Sequence, residues 1–146
     1  MRASLKRHGI EPGCLELELT ESIMPEAGSE SSAIINDLKT LGVRIAVDDF
    51  GTGYSTLGSL RSFVPDTLKI DRCFLNEMAS NASDRAIVKS VIEMAHALSM
   101  TVVAEGVESL EQQRLLEELH CDQMQGFLIS PPVDAVIFEE KHIAIR

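Results

Sequence analysis

The chain repeatedly places a polar or ionisable side chain at the end of a short apolar segment. Glu18 closes LELE, Asp48 and Asp49 close IAVDD, Lys69 and Asp71 close TLKID, Glu105 closes VVAE, and Gln125 closes DQMQ. The intervals are 30 residues from Glu18 to Asp48, 23 on to Asp71, 34 to Glu105 and 20 to Gln125. Each is long enough for a loop, a helix and the next strand. Parallel strands joined in this way, with the side chains capable of chemistry at their carboxyl ends, form a βα barrel whose loops converge on one mouth. A complete barrel takes about 250 residues, whereas this chain has 146. The spacing therefore predicts an α/β fold, a partial TIM-type (β/α) barrel with about five of eight strands. Such an arc leaves two strand edges open, so homodimerisation or other self-association through those edges is expected.

Helix signals fill the intervals. The opening ASLKRHGIEPG reads as a helix tail that ends at Gly9, with Leu5 and Ile10 as apolar contacts and Pro12 preventing continuation. A helix from Ser31 to Leu41 would place Ile34, Ile35, Leu38 and Leu41 on one face and stop at Gly42. A short helix is expected from Thr56 to Ser62, ahead of Pro65. Ser83 can cap a long helix carrying Ile87, Val88, Val91, Ile92, Ala95 and Leu98, the clearest 3.6-residue stripe in the chain. Ser109 with Gln112 makes a capping box for a helix through Leu119.

Composition bounds the function. With 45% hydrophobic and 25% charged residues the chain has enough apolar side chains for one core. No apolar run reaches the roughly 18 residues of a membrane span, and no signal peptide is visible, so a cytoplasmic domain without a membrane segment is expected. The net charge of -10 argues against duplex nucleic acid as a partner. A small phosphodiester remains compatible, because divalent metals held by an acidic cluster reverse the local charge. Cys14, Cys73 and Cys121 are far apart and form no CxxC pattern, which predicts reduced thiols.

Strand alternation sorts the polar residues. Leu15, Leu17 and Leu19 fall on one face of their strand and Glu16 and Glu18 on the other. The leucines suit packing against helices, which turns the glutamates inward, where a carboxylate needs a cation or donors. In TLKID the same logic turns Thr67, Lys69 and Asp71 inward, with Asp71 a polar neighbour of Lys69. A buried lysine pairs with carboxylates or titrates low, and in either state it can orient or deprotonate a metal-bound water. Adjacent Asp48 and Asp49 repel unless a cation sits beside them, and Mg²⁺ or Mn²⁺ suits such oxygen donors. Each motif alone has a plainer reading, as a solvated acidic face, a turn or cap pair, or a surface lysine reaching outward.

Read in order, ELTES (from Glu18), DDFGTGYSTL (from Asp48), LKIDRCFL (from Leu68), VVAEGVES (from Val102) and QGFLISPP (from Gln125) resemble successive motifs of the EAL domain, a bacterial cyclic di-GMP phosphodiesterase. The resemblance covers nearly the whole chain, and the glutamate-alanine-leucine signature and a later asparagine of the family have no counterpart in it. It implies that residues 1–146 are the C-terminal portion of a single EAL domain without its first strands. It implies Glu18, Asp48, Asp49 and Glu105 at a site for two Mg²⁺ or Mn²⁺ ions, with Lys69 and Glu105 as catalytic residues. Glu21 would steady the loop after the next strand, Asp71, Glu108 and Gln125 would support the site, and Phe50, Gly51, Thr52 and Gly53 would form a substrate loop. Where the family usually has a basic residue before a proline after the last strand, this chain has Pro131 before Pro132.

The function so implied is metal-dependent hydrolysis of cyclic di-GMP to linear pGpG in second-messenger signalling, by a fragment that needs the missing strands to be complete. The alternative is a cyclic di-GMP receptor or protein-interaction module without turnover.

Overall fold

The computed structural model describes residues 1–25, 29–51, 60 and 63–143. A helix α1 (Arg2–His8) ends at Gly9 and leads through a 3-10 turn (Pro12–Cys14) into β1 (Glu16–Thr20). Next come α2 (Glu30–Thr40), β2 (Arg44–Phe50), β3 (Thr67–Ile70) and α3 (Arg72–Leu75). The chain continues as α4 (Ala82–Ala97), β4 (Thr101–Glu105), α5 (Leu110–Glu118), β5 (Gln123–Gln125) and α6 (Ala135–Phe138). The five strands form one sheet in the order β1-β2-β3-β4-β5, and every pair is parallel. This is the expected partial barrel, an arc with β1 and β5 at its edges. The helix expected at Thr56 to Ser62 falls largely outside the described residues.

The outer face of the arc carries the core. Ile45 packs with Ile35 of α2 and with Phe63, and Leu17 and Leu19 close against them, as the alternation of β1 predicts. Leu68, Ile70, Val102 and Ala104 pack with Leu75, Val88, Ile92, Ala95 and Leu116 from the helices. Not every residue of the expected stripes joins this core. Ile10, Ile34, Ile87 and Leu98 are all exposed, while Ile35, Val88, Ile92 and Ala95 are buried. The cap of α4 is also corrected. Asn81, not Ser83, is the N-cap, and its side chain accepts a hydrogen bond from the Ser83 N–H at 2.9 Å. The capping box of α5 forms as expected, and Gln112 does more than cap. Its Oε1 accepts from the N–H groups of Glu108 and Ser109, while its Nε2 donates to the Leu75 carbonyl at 3.0 Å, tying α5 to α3.

At the amino-terminal rim two aspartates perform the same task. Asp66, just before β3, accepts the Ile45 N–H of β2 at 2.9 Å and pairs with Lys39 of α2 at 3.2 Å. Asp122, just before β5, accepts the Val102 N–H of β4 at 2.8 Å and pairs with His96 of α4 at 2.9 Å. Each carboxylate, set just ahead of one strand, accepts the second N–H of a neighbouring strand and so ties the two together at this rim. Cys14, Cys73 and Cys121 are all free thiols. No helix among the described residues is long and apolar enough to cross a membrane.

Candidate metal centre at the barrel mouth

Lys69 organises the mouth. It is 7% exposed, and its ammonium reaches carboxylates from three other strands: Glu18 of β1 at 2.7 Å, Asp48 of β2 at 3.2 Å and Glu105 of β4 at 2.8 Å. Desolvation alone would depress the pKa of this lysine, but the bonds to Glu105, Glu18 and Asp48 outweigh it and hold the pKa well above its ordinary value. Lys69 is therefore a fixed cation in this state. The pair with Glu105 is asymmetric. Burial pushes the Glu105 carboxyl above its ordinary pKa, and Asp48 and Glu18 add repulsion that the lysine offsets only in part.

A local break in the sheet turns both aspartates of β2 to the same place. Along a regular strand, side chains alternate faces and adjacent carboxylates would point apart. Between Val47 and Phe50 the register shifts, so that β2 advances from Val47 to Phe50 while β3 advances from Leu68 to Ile70. Asp49 takes a left-handed backbone with φ 55°, a conformation that aspartate tolerates better than most residues. Its N–H donates to Asp48 Oδ1 at 3.1 Å. Carboxylate oxygens of Asp48, Asp49 and Glu105 consequently lie within 4.8 Å of one another. Three oxygen donors at such spacing suit a hard divalent cation such as Mg²⁺ or Mn²⁺.

The other expected residues fall into place unevenly. Buried Glu21 lies in the turn after β1, and its Oε2 accepts the Gly51 N–H at 3.0 Å, linking that turn to the start of the loop after β2. Phe50 ends β2 and packs against the larger core cluster, while Thr52 and Gly53 lie outside the described residues. Asp71 is not an ion-pair partner of Lys69. Strand β3 ends at Ile70, and Asp71 becomes the N-cap of α3, accepting the Cys73 N–H at 2.9 Å. A hydrogen bond with the Cys73 thiol, supported by the N–H groups of Cys73 and Arg72, outweighs desolvation and holds the Asp71 carboxyl below its ordinary range. Desolvation and the same aspartate push the Cys73 thiol up to about 11. Glu108 and Gln125 are exposed, and both line a cavity of about 270 Å³ at the mouth with Asp71, Arg72, Glu105, Gly106, Gly126 and Phe127.

Arg72, Gly106, Gly126 and Phe127 were not singled out from the sequence. The signal for the glycines is a Gly immediately after a strand-end residue, in EG and QG. Gly106 has φ 74°, and a Cβ there would run into Arg72. A Cβ on Gly126 would collide with the Val107 backbone, so the loops after β4 and β5 meet only because position 126 has no side chain. Glu16 also gains partners that its own strand could not reveal. Thr67 Oγ1 donates to Glu16 Oε2 at 2.6 Å, Arg44 Nη2 donates to Thr67 Oγ1 at 3.1 Å, and Arg44 Nε pairs with Glu16 at 3.2 Å.

A parallel βα arc with a carboxylate-and-lysine mouth at its carboxyl rim defines the class, a TIM-barrel-like domain with an acidic centre suited to divalent cations. Residues 1–132 match the EAL domain, and the chain belongs to that family. It is 44% identical over 135 residues to the bifunctional diguanylate cyclase/cyclic di-GMP phosphodiesterase MucR of Pseudomonas aeruginosa, covering 92% of this chain and 20% of that protein. The fold is similar to the MucR phosphodiesterase in complex with cyclic di-GMP, with a TM-score of 0.86 and 43% identity over 94% of this chain and 56% of that one. It is similar also to the EAL domain of Mycobacterium smegmatis DcpA, with a TM-score of 0.89 and 40% identity over 95% and 62% of the two chains. A manganese and cyclic di-GMP complex of Klebsiella pneumoniae BlrP1 matches with a TM-score of 0.81 and 35% identity over 87% and 32%. The chain thus spans about a fifth of the full length of MucR and just over half of its solved domain.

Proposed function

We propose that this chain carries the metal-binding face of a cyclic di-GMP phosphodiesterase that yields linear pGpG, and that residues 1–146 are the C-terminal portion of one EAL domain. The observation that carries the reading is the convergence of Asp48, Asp49 and Glu105 oxygens within 4.8 Å beside a lysine held by three carboxylates. Membership of a family whose solved relatives include complexes with cyclic di-GMP and with manganese supports it.

The donor set fits a divalent cation on its own chemistry. Asp48, Asp49 and Glu105 would hold one or both of two Mg²⁺ or Mn²⁺ ions, with Glu18, which bonds the same lysine, as a further carboxylate. When bound, such ions supply Lewis-acid activation of water and neutralisation of charge at phosphorus. The chain's own groups do the rest. Lys69 donates hydrogen bonds to the carboxylates of the centre and so holds a proton there, from which it could orient the attacking water. Arg72 offers a fixed cation to a phosphate entering the mouth cavity, and exposed Phe127 offers an aromatic face to a base. Glu21 secures the loop after β2 through the Gly51 N–H. The enzyme acts in the cytoplasm on a small nucleotide and takes no duplex nucleic acid.

The test compares this chain with one extended by the strands that complete the barrel, following pGpG formation chromatographically with Mn²⁺ or Mg²⁺. Metal-dependent turnover by the extended chain, lost in Asp48→Asn, is the expected result. Tight binding of cyclic di-GMP by the extended chain without hydrolysis under any metal would overturn the enzyme reading in favour of a receptor.

A further inference from the structure

Two polar bridges cross β2 without touching its main chain. Glu18 of β1 reaches Lys69 of β3 at 2.7 Å, and Glu16 of β1 reaches Thr67 of β3 at 2.6 Å. Adjacent strands lie about 4.8 Å apart, so each bridge spans roughly twice that distance over the strand between. In the register of the sheet Ala46 lies directly between Glu18 and Thr67. Side chains opposite one another in parallel strands point to the same face, so the Ala46 methyl points to the inner face beneath both bridges. Its inward neighbours along β2 each join one bridge. Arg44 bonds Glu16 and Thr67, and Asp48 bonds Lys69.

Burial supports the same arrangement. Ala46 is 0% exposed on the inner face of the arc. Of the bridging side chains around it, Thr67 and Lys69 are buried as well, whereas Arg44 is 43% exposed, Glu16 34% and Glu18 53%. A fully buried methyl at this register position fits a floor beneath a roof of bridging side chains.

We propose that Ala46 is a positioning residue of the mouth: its small size is what lets Lys69 engage Glu18 across β2, and a branched side chain there separates the two. This deepens the functional reading of the same site, but its structural half stands without it. A larger residue would rise between the lower cluster of Glu16, Arg44 and Thr67 and the upper cluster of Glu18, Asp48, Lys69 and Glu105. Lys69 would then keep only its partners on β2 and β4.

The test is a double-mutant cycle in the metal-free 146-residue chain, read by thermal melting. Ala46→Val is expected to lower the melting temperature by about 5 °C or more, the scale of an overpacked site, while Ala46→Ser stays within about 2 °C. In a Glu18→Ala background, where the roof is opened, Ala46→Val should cost less than half as much. Ala46→Cys takes the same cycle if the valine chain does not fold. In an extended, active chain Ala46→Val should lower kcat at least about tenfold with KM little changed, and Ala46→Ser should retain activity. An equal cost of the larger side chain in both backgrounds overturns the proposal, because it would mark ordinary crowding. Coupling without turnover in any chain, the unaltered extended one included, would leave the spacer standing and remove the phosphodiesterase reading instead.

Discussion

Replacing Lys69 by methionine keeps most of the side chain's volume and removes its charge, which isolates what that charge does. Three carboxylates would then face one another with no cation between them. Breaking a buried ion pair by removing one partner costs about 3–5 kcal/mol. Here the figure must be discounted, because Glu18 is 53% exposed and water screens it, while Asp48 and Glu105 are 24% and 20% exposed. A loss of about 2–3 kcal/mol at pH 7 in the metal-free chain is expected. The pH dependence has a definite sign. The Glu105 carboxyl already lies above its ordinary pKa in the folded chain, so the folded state takes up its proton more readily than the unfolded one. Stability of Lys69→Met should therefore rise as pH falls from 7 towards 5, as protonation relieves the cluster. Saturating Mn²⁺ at about a hundred times its dissociation constant would return about 2.7 kcal/mol, and the gain should be larger than in the unaltered chain, where lysine and metal compete for the same oxygens. Urea denaturation at pH 5, 6, 7 and 8, with and without Mn²⁺, reads all three effects. A variant as stable as the parent at pH 7 and flat across that range would refute the view that Lys69 neutralises the cluster.

Three further outcomes are expected. Asp122→Asn should cost about 0.5 kcal/mol at pH 7, a small figure because the carboxylate is 39% exposed. Desolvation would raise the Asp122 carboxyl, but the Val102 N–H and His96 hold it below its ordinary 3.8, so the difference from the parent should persist above that value and vanish as pH falls below it, as urea midpoints from pH 6 to 3 would record. Gly126→Ala should destabilise by about 1–3 kcal/mol, since the new methyl must push the Val107 backbone away, and a crystal structure would show the loops after β4 and β5 separated. The open edges at β1 and β5, with Phe127, Ile129 and Val136 exposed beside the latter, should raise the mass seen by light scattering above 16.0 kDa as concentration increases. A concentration-independent monomer would show those edges to be self-sufficient.

What could be read from the chain and what could not divides along a physical line. Period-two alternation is local, so LKID was enough to turn Lys69 inward and LELE to turn Glu16 and Glu18 the same way. The capping box at Ser109 and Gln112 is also local, and it forms as written. Two potential caps two residues apart are a closer contest. Asn81 prevails over Ser83 because its own side chain reaches the Ser83 N–H, which leaves Ser83 inside the helix. Strand β3 ends one residue earlier than TLKID suggests, and Asp71 there caps α3 while still lining the mouth cavity.

The polar lattice of the inner face is a different kind of information. Glu16, Arg44 and Thr67 come from three strands, and nothing in one strand states how far its neighbour is shifted along it. Register is set jointly by outward packing, as of Ile45 on Ile35 and Phe63, and by rim clamps such as Asp66 on the Ile45 N–H. The bulge in β2 works against the local rule altogether. Strict alternation would send Asp48 and Asp49 to opposite faces, and it is the left-handed turn at Asp49 with the shift between Val47 and Phe50 that brings both to Glu105. A strained backbone is retained where three carboxylates are held together against their mutual repulsion, and both costs fall beside Lys69, a cation that offsets them as a metal ion would.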